Sequence, residues 1–92
     1  MWLARIYVTL KPVVNDPQGL AIRGGLRQLG FANVESVRAG KFLEVLVDAA
    51  SPEEAAQQAE AMCRTLLANP VIEDFRFDLE ERPAPASAAA SR

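Results

Sequence analysis

The chain is predicted to fold as one α+β domain with the element order β-α-β-β-α-β. Two kinds of segment alternate along the chain. In one, apolar residues occupy every second position, as in half-buried strands; in the other, they show helical spacing. Both predicted helices also begin with a clear start signal, Asp16-Pro17 and Ser51-Pro52. In each, a capping side chain precedes a proline at the first helical position, where the missing N–H costs no hydrogen bond.

Four strands are predicted from this alternation. They are the run from Ile6 to Leu10, Val34 to Ala39, Phe42 to Ala49, and Val71 to Leu79. Pro12 ends the first strand because proline cannot donate to a strand ladder. The two middle strands are expected to form a hairpin at Ala39-Gly40-Lys41, since glycine supplies the backbone angles of a tight turn.

The first predicted helix runs from the Asp16 cap to Gly30, and the second runs from the Ser51 cap to Asn69-Pro70. Gly24-Gly25 lie inside the first helix, where each glycine costs about 1 kcal/mol relative to alanine. The pair indicates either a close approach of the helix backbone to the sheet or to another chain, or a tolerated flaw.

With both helices on one face of an antiparallel four-stranded sheet, the arrangement is a ferredoxin-like sandwich. The opposite face then carries several apolar residues among charged ones. These apolar residues are Leu3, Tyr7, Phe42, Leu46 and Ile72. Mixed faces of this kind suit subunit packing, so we expect a homo-oligomer formed partly through this face.

The domain is expected to span residues 1–82. Residues 83–92 are rich in Ala, Pro and Ser and show no periodicity, which predicts a disordered tail. Met1 to Arg5 has no pattern of a secretory signal, and no apolar run reaches membrane-spanning length. We therefore expect a soluble, cytoplasmic protein.

Composition disfavours several function classes. The net charge is −2 and there is no basic block, so binding to nucleic acid or to an anionic membrane lacks its usual footprint. The chain has no histidine and a single cysteine, which removes the commonest parts of metal sites and acid–base sites. An autonomous enzyme is therefore disfavoured.

Individual reactive groups also favour structural interpretations. Cys63 lies on the apolar side of the second helix and has no histidine to generate a thiolate, so it is predicted to be a buried, inert thiol. The carboxylates match no calcium-loop spacing and suit helix starts and solvated strand faces. The chain contains neither of the common glycine-rich phosphate-binding motifs.

Four polar residues lie at the ends of predicted strands and helices, where side chains reach past the fold. They are Lys11, Arg38, Lys41 and Asn69. Two interpretations stay open at this point, namely ordinary surface polarity and a contact patch for a protein partner.

A series of motifs resembles a known family. The motifs are Tyr7-Val8-Thr9-Leu10-Lys11-Pro12, Asp16-Pro17-Gln18-Gly19, Leu29-Gly30-Phe31, Val37-Arg38-Ala39-Gly40-Lys41 and Leu66-Leu67-Ala68-Asn69-Pro70-Val71-Ile72-Glu73-Asp74. In order and spacing, from Ala4 to Glu81, they resemble PurS, the small subunit of phosphoribosylformylglycinamidine (FGAM) synthase in purine biosynthesis. Val13-Val14-Asn15 departs from the glycine-containing turn expected for the family.

The resemblance implies an accessory role. The chain would bridge a large synthetase subunit (PurL-type) and a glutaminase subunit (PurQ-type). It would assist ammonia transfer in the ATP- and glutamine-dependent conversion of formylglycinamide ribonucleotide (FGAR) to FGAM. ATP and Mg²⁺ belong to the large subunit, and this chain is expected to contribute no catalytic, cofactor-binding or metal-binding residue. A homodimer or homotetramer is implied.

Eight positions match the family motifs. Candidate partner contacts are Lys11, Arg38, Lys41 and Asn69. Residues expected to shape turns and caps are Asp16, Gly19, Gly40 and Pro70.

Two alternatives from other classes remain. The fold would also suit a ferredoxin-like regulatory module that binds a small metabolite at a dimer interface, although no distinct polar pocket signature is present. An RNA-binding sheet of the same topology is disfavoured, because its aromatic stacking motif and basic surface are missing.

Overall fold

The computed structural model describes residues 1–83, so all but the first residue of the predicted tail, 83–92, lies outside the described residues. The elements are β1 (Trp2–Leu10), α1 (Pro17–Gln28), β2 (Gly40–Val47), α2 (Pro52–Met62), a π-helical turn (Cys63–Leu67) and β3 (Glu73–Glu81). The predicted α+β class, with two helices and an antiparallel sheet, is confirmed.

β1 is the central strand of the sheet. The strand order is β2-β1-β3, and both neighbours run antiparallel to β1. Ile6 lies opposite Leu43 of β2 and Phe77 of β3, and the next residue, Tyr7, projects to the other side of the sheet. We call the side of Ile6 the inner face and the side of Tyr7 the outer face.

The inner face carries the core. Ala4, Ile6 and Val8 of β1 are buried, and they pack with Ala59 of α2 and with Cys63. Half-buried residues of the flanking strands and the π-helical turn complete this cluster, namely Leu43, Val45, Leu67, Phe75, Phe77 and Leu79. α2 lies against β1 and β3, and its small alanines let the helix approach the sheet closely. The predicted burial of Cys63 is confirmed.

Both predicted helix starts are confirmed. An Asp16 carboxylate oxygen accepts a hydrogen bond from the Gly19 N–H at 2.9 Å, and the Ser51 hydroxyl accepts one from the Glu54 N–H at 3.1 Å. Each side chain satisfies a backbone donor that has no partner inside its helix. Gly30, with a φ of 105°, follows α1 in the left-handed region that favours glycine.

The strand predicted at Val34–Ala39 was wrong, and the described residues form a three-stranded sheet. Two carbonyls of this segment accept hydrogen bonds from arginines of α1, and the Ala39 N–H donates to Asp16. These backbone groups are therefore directed toward α1. The predicted hairpin at Ala39-Gly40-Lys41 was wrong as well, because Gly40 and Lys41 already belong to β2.

Several element boundaries differ from the prediction, among them the end of α2 and the start of β3. α2 ends at Met62 and continues as the π-helical turn, in which the Ala68 N–H donates to the Cys63 carbonyl at 2.9 Å. β3 begins at Glu73, so Val71 and Ile72 lie in the turn before it. The prediction that Ile72 lies on the outer face of a strand was therefore wrong.

α1 is placed differently from α2. The expectation that both helices cover the sheet holds for α2, whereas α1 makes no extensive contact with any strand within residues 1–83. Leu20, Ile22 and Leu29 are 56%, 42% and 77% exposed. A Cβ at Gly24 or Gly25 would meet open space, so the pair does not serve a close approach to the sheet. A tolerated flaw and an approach by another chain stay open.

Candidate functional site

The eight candidate residues lie near one end of the sheet. β1 ends where β2 and β3 begin, since Thr9 pairs with Gly40 and Leu10 pairs with Glu73. The turns that carry the candidates therefore meet at this edge. We call them the strand-end cluster: Lys11, Asp16, Gly19, Arg38, Gly40, Lys41, Asn69 and Pro70.

Asp16 is the buried member of the strand-end cluster, and it links two segments of the chain. Its side chain is the buried carboxylate at the start of α1, where one oxygen accepts from Gly19 and the other accepts from the Ala39 N–H at 2.7 Å. These two backbone hydrogen bonds lower the pKa of the carboxyl, and the positive charge of Arg38 adds to the effect. Asp16 thus joins the helix start to the segment that leads into β2.

Gly19 and Gly40 are required by close backbone approaches. A Cβ at Gly19 would overlap the Val37 carbonyl oxygen, and a Cβ at Gly40 would overlap the Val8 carbonyl oxygen. Gly19 therefore lets the first turn of α1 lie against the segment before β2. Gly40 lets β2 approach β1 at its first residue, which is a different role from the hairpin turn expected for it.

Arg38 is bound within the chain. One guanidinium nitrogen, Nη2, donates to the carbonyls of Leu10, Lys11 and Val14, at 3.3, 2.9 and 3.2 Å. Arg38 therefore closes the turn between β1 and α1 by binding carbonyls at the end of the strand and within the turn. Sequence reasoning placed Arg38 at the correct end of the sheet without indicating these acceptors.

Lys11 also has an internal partner. Its ammonium lies 2.8 Å from an Asp74 carboxylate oxygen, and the Lys11 N–H donates to the Ile72 carbonyl at 2.8 Å. Both charged groups remain substantially exposed, so the ion pair adds little stability. The backbone bond matters more for architecture, because it brings the turn after β1 against the turn before β3.

Asn69 shapes the turn before β3. Its side-chain oxygen accepts from the Val71 N–H at 3.1 Å, and its own N–H donates to a Glu73 carboxylate oxygen at 2.6 Å. Its carbonyl accepts from Ile72 and Glu73. Pro70 follows it in the same turn. Asn69 therefore acts as a turn-forming residue of the kind that asparagine commonly provides.

Lys41 is the charged member of the strand-end cluster whose side chain forms neither an ion pair nor a hydrogen bond within residues 1–83. It is exposed at the start of β2, and none of the ion pairs between residues 1 and 83 involves it. It lines an open groove of about 350 Å³ that also includes Tyr7, Phe42 and Arg76. The Arg76 guanidinium lies 4.0 Å from the centre of the Tyr7 ring, and the Tyr7 and Phe42 rings are 5.1 Å apart.

Apolar residues next to the cluster were not identified from the sequence. Val13 is 92% exposed and Val71 is 79% exposed, in the two turns that the Lys11–Ile72 hydrogen bond joins. Each is a single apolar residue in a turn. An isolated residue of this kind does not indicate a contact surface in the sequence. Both turns lie at the same end of the sheet as Lys41, and exposed residues of mixed character suit contact with a protein.

Among residues 1–83, no group of three or more His, Cys, Asp or Glu side chains is placed to hold a metal ion. Burial raises the pKa of the Cys63 thiol, which keeps it protonated. No helix in this part of the chain is both long and apolar enough to cross a membrane. The fold and site define a small α+β domain with an exposed edge of mixed polar and apolar residues at the ends of its strands.

The family follows from comparison with known proteins. The family model for PurS, phosphoribosylformylglycinamidine (FGAM) synthase, matches residues 3–81, and the chain belongs to this family. PurS of Synechocystis sp. is 49% identical over 75 residues, which are 82% of this chain and 75% of that protein. PurS of Bacillus subtilis is 40% identical over 81 residues, or 88% of this chain and 95% of that protein. The resemblance inferred from the motifs is confirmed.

Solved structures show the same fold. Bacillus subtilis PurS matches with a TM-score of 0.78 at 40% identity, covering 88% of this chain and 100% of that one. Methanocaldococcus jannaschii PurS matches with a TM-score of 0.81 at 35% identity, covering 90% and 100%. A chain of the PurLQS structure from Thermotoga maritima matches with a TM-score of 0.79 at 30% identity, covering 86% and 96%.

Proposed function

We propose that this chain is the accessory subunit of an FGAM synthase, in which it bridges a PurL-type synthetase and a PurQ-type glutaminase and assists ammonia transfer between them. The reaction served is the ATP- and glutamine-dependent conversion of FGAR to FGAM. The chain contributes no catalytic group, and ATP and Mg²⁺ are bound by the large subunit.

One observation carries this proposal. The family match runs continuously from residue 3 to residue 81, and a structural match of similar extent is found in the PurLQS structure. The match therefore covers the whole described fold and not a single motif. We assign residues 1–82 to one functional domain on the same basis, and we place the protein in the cytoplasm, where its purine substrate would be made.

An accessory subunit has a clear physical purpose here. Ammonia released by a glutaminase is a good nucleophile only while it is unprotonated and held close to the acceptor. In solvent it would be protonated and diluted, and the advantage of proximity would be lost. A subunit that holds the two active sites in one closed, water-excluding assembly retains the nucleophile.

We place the contact with the catalytic subunits at the strand-end cluster. Lys41, Val13 and Val71 are exposed there, next to turns that Asp16 and Arg38 hold in place. A rigid edge of this kind loses little conformational freedom on binding. Lys11, Arg38 and Asn69 then act mainly by fixing that edge, and Lys41 acts by contact.

The outer face is a second proposed contact, between copies of this chain. Phe42 is 53% and Leu46 is 39% exposed there, whereas Arg5 is paired with Glu80 and with Asp78 at 3.6 Å. Arg5 is thus neutralised within the chain, while Phe42 and Leu46 remain open. Burial of those apolar residues favours association into a homo-oligomer.

The test is reconstitution from separate subunits. The large synthetase subunit, the glutaminase, ATP, Mg²⁺ and FGAR are mixed with or without this chain, and FGAM is measured with either glutamine or free ammonia as nitrogen source. We expect glutamine-dependent synthesis to require the chain and ammonia-dependent synthesis to proceed without it.

Lys41→Ala is the informative variant, and Lys11→Ala is its matched control because Lys11 already has an internal partner. Lys41→Ala should raise the concentration of chain needed for half-maximal glutamine-dependent activity several-fold, and Lys11→Ala should change it less. If the wild-type chain neither alters glutamine-dependent synthesis nor co-elutes with the other subunits, the proposal fails. Stabilisation of the isolated chain by a small metabolite would then support the regulatory module instead.

A further inference from the structure

Arg76 on the outer face has a guanidinium that is held in place but not neutralised. It lies 4.0 Å from the centre of the Tyr7 ring, and this cation–π contact restrains it. Among residues 1–83, every other arginine side chain donates a hydrogen bond, whereas Arg76 donates none and forms no ion pair. The arginine side chain presents five N–H donors in a planar fork that matches the oxygens of phosphate and carboxylate groups. Arg76 is therefore a preorganised cation whose donors are not used within the described chain.

An exposed aromatic ring lies across the sheet from Arg76. Phe42 and Arg76 both pair with Tyr7, on opposite sides of β1, so the three residues form one row across the outer face. Phe42 is 53% exposed, and its ring has a tilted contact with the Tyr7 ring. Strands are about 4.8 Å apart, so Phe42 and Arg76 start from positions roughly 10 Å apart. The row offers a ring for stacking at one end and a group that binds anions at the other end.

The neighbouring row of the outer face carries smaller side chains. It consists of Gly40, Thr9 and Asp74, and Gly40 has no side chain at all. The groove of about 350 Å³ lies where these two rows meet. Its volume is at the lower end of the range of about 300–1,000 Å³ that small-molecule sites occupy. The groove therefore has room for a compact ligand.

The charges that line the groove favour an anion. Two cations, Lys41 and Arg76, line it together with one carboxylate, that of Asp74. Asp74 is already paired with the Lys11 ammonium at 2.8 Å, which reduces its repulsion of an anionic ligand. The groove is thus complementary in charge to a negatively charged group.

We propose that this groove binds a small ligand that joins a planar aromatic ring to a phosphate group, as in a nucleoside monophosphate. The phosphate would accept hydrogen bonds from the Arg76 fork, and the ring would stack on Phe42. A protein carboxylate would use Arg76 alone, whereas this ligand uses both ends of the row. It would compete with a second copy of the chain for the Phe42 ring, so its binding would disfavour association through the outer face. The site goes beyond the proposed function and depends on this chain alone.

Saturation-transfer NMR of the full chain with adenosine 5′-monophosphate (AMP) tests the site. The chain is kept at low micromolar concentration, where association through the outer face competes least. We expect a submillimolar Kd for AMP, with ¹⁵N chemical-shift changes centred on Tyr7, Gly40, Phe42 and Arg76. Adenosine lacks the phosphate and ribose 5-phosphate lacks the ring, so each should bind at least about fivefold more weakly than AMP.

Arg76→Gln is the informative variant, and Arg64→Gln is its matched control. Arg64 also lies over an aromatic ring, 5.4 Å from the centre of Phe75, but its guanidinium is paired with Glu60 at 2.9 Å. Arg76→Gln should weaken AMP binding at least about tenfold, because charge-assisted hydrogen bonds to the phosphate are lost. Arg64→Gln should leave the Kd within about twofold, because only a screened charge is removed. Phe42→Leu should weaken binding of AMP and leave that of ribose 5-phosphate unchanged, and circular dichroism should show all three variants folded.

The same measurements can overturn the proposal. Absence of AMP binding at millimolar concentration would do so, and so would ribose 5-phosphate binding as tightly as AMP. Equal effects of Arg76→Gln and Arg64→Gln would show general attraction to positive charge and no site. If Arg76→Gln weakens the reconstituted synthase but leaves AMP binding unchanged, Arg76 contacts a protein partner and the ligand site is refuted.

Discussion

Arg38→Ala tests the finding that Arg38 has a structural role within the chain. The variant removes a guanidinium nitrogen that is shared by three carbonyls, at 2.9, 3.2 and 3.3 Å. A single nitrogen has two N–H groups, so we count two net hydrogen bonds. At about 0.5–1.5 kcal/mol each, the expected loss in free energy of unfolding is about 1–3 kcal/mol. For a domain of this size, a loss of 2 kcal/mol lowers the Tm by roughly 10 °C.

The assay is thermal and urea unfolding followed by circular dichroism, at a fixed protein concentration because association would shift the Tm. Lys41→Ala is the control, since it removes an exposed cation from the same edge and should change the free energy of unfolding by less than about 0.5 kcal/mol. Equal stability of Arg38→Ala and Lys41→Ala would refute the structural role. Arg38 would then be an ordinary surface cation, available to a partner as first expected.

The remaining predictions concern the start of α1, pH and the single thiol. Gly19→Ala should destabilise the fold because its Cβ would overlap a backbone carbonyl, whereas Gly24→Ala should raise stability by about 0.4–1 kcal/mol because its Cβ meets open space; urea midpoints that move in the same direction would contradict this. The pKa of Asp16 is lowered in the folded chain by two backbone hydrogen bonds, so the stability it contributes is present above its unfolded pKa near 3.8 and is lost as pH falls through the folded value. Stability should therefore fall below about pH 4 and fall less steeply in Asp16→Asn; identical pH profiles from urea titrations would exclude Asp16 as a cause. The pKa of the Cys63 thiol is raised by burial, so a thiol reagent should modify it only in urea; rapid labelling of the native chain would disprove its burial.

Local chemistry explains how much of the fold could be predicted from the sequence. The starts of α1 and α2 depend on a capping side chain and on a proline one position later, so Asp16-Pro17 and Ser51-Pro52 carry the information themselves. The central strand was equally predictable, because its alternation matches the two faces of the sheet. Burial of Cys63 followed from its place on the apolar side of the second helix.

The segment at 34–39 could not be assigned from its own residues. Its alternation suits a strand, but its backbone groups bond to Arg23, Arg27 and Asp16, which lie well before it in the chain. The spacing of apolar residues indicates which side chains are buried. It does not indicate which donor forms a hydrogen bond with a given backbone carbonyl. The exposure of Ile22 and Leu29 on α1 has the same origin, since the sequence predicted an apolar side of this helix without indicating what would cover it.

The candidate site was predictable in position and not in detail. The ends of the strands could be located, and the antiparallel order gathers them at one edge. The internal partners of Lys11 and Arg38 could be identified only from the three-dimensional structure. Asp74 comes close to Lys11, and the Leu10 carbonyl comes close to Arg38, only after the sheet has formed. Lys41 was indistinguishable from them in the sequence.

The most direct test of the accessory role is the ratio of glutamate released to FGAM formed, measured in the same reconstituted mixture. With this chain present, we expect about one glutamate for each FGAM, because ammonia reaches the synthetase without escaping. Without the chain, glutamine-dependent FGAM should fall away while synthesis from added ammonia continues. An unchanged ratio and rate in its absence would contradict a bridging and ammonia-transfer role for this chain.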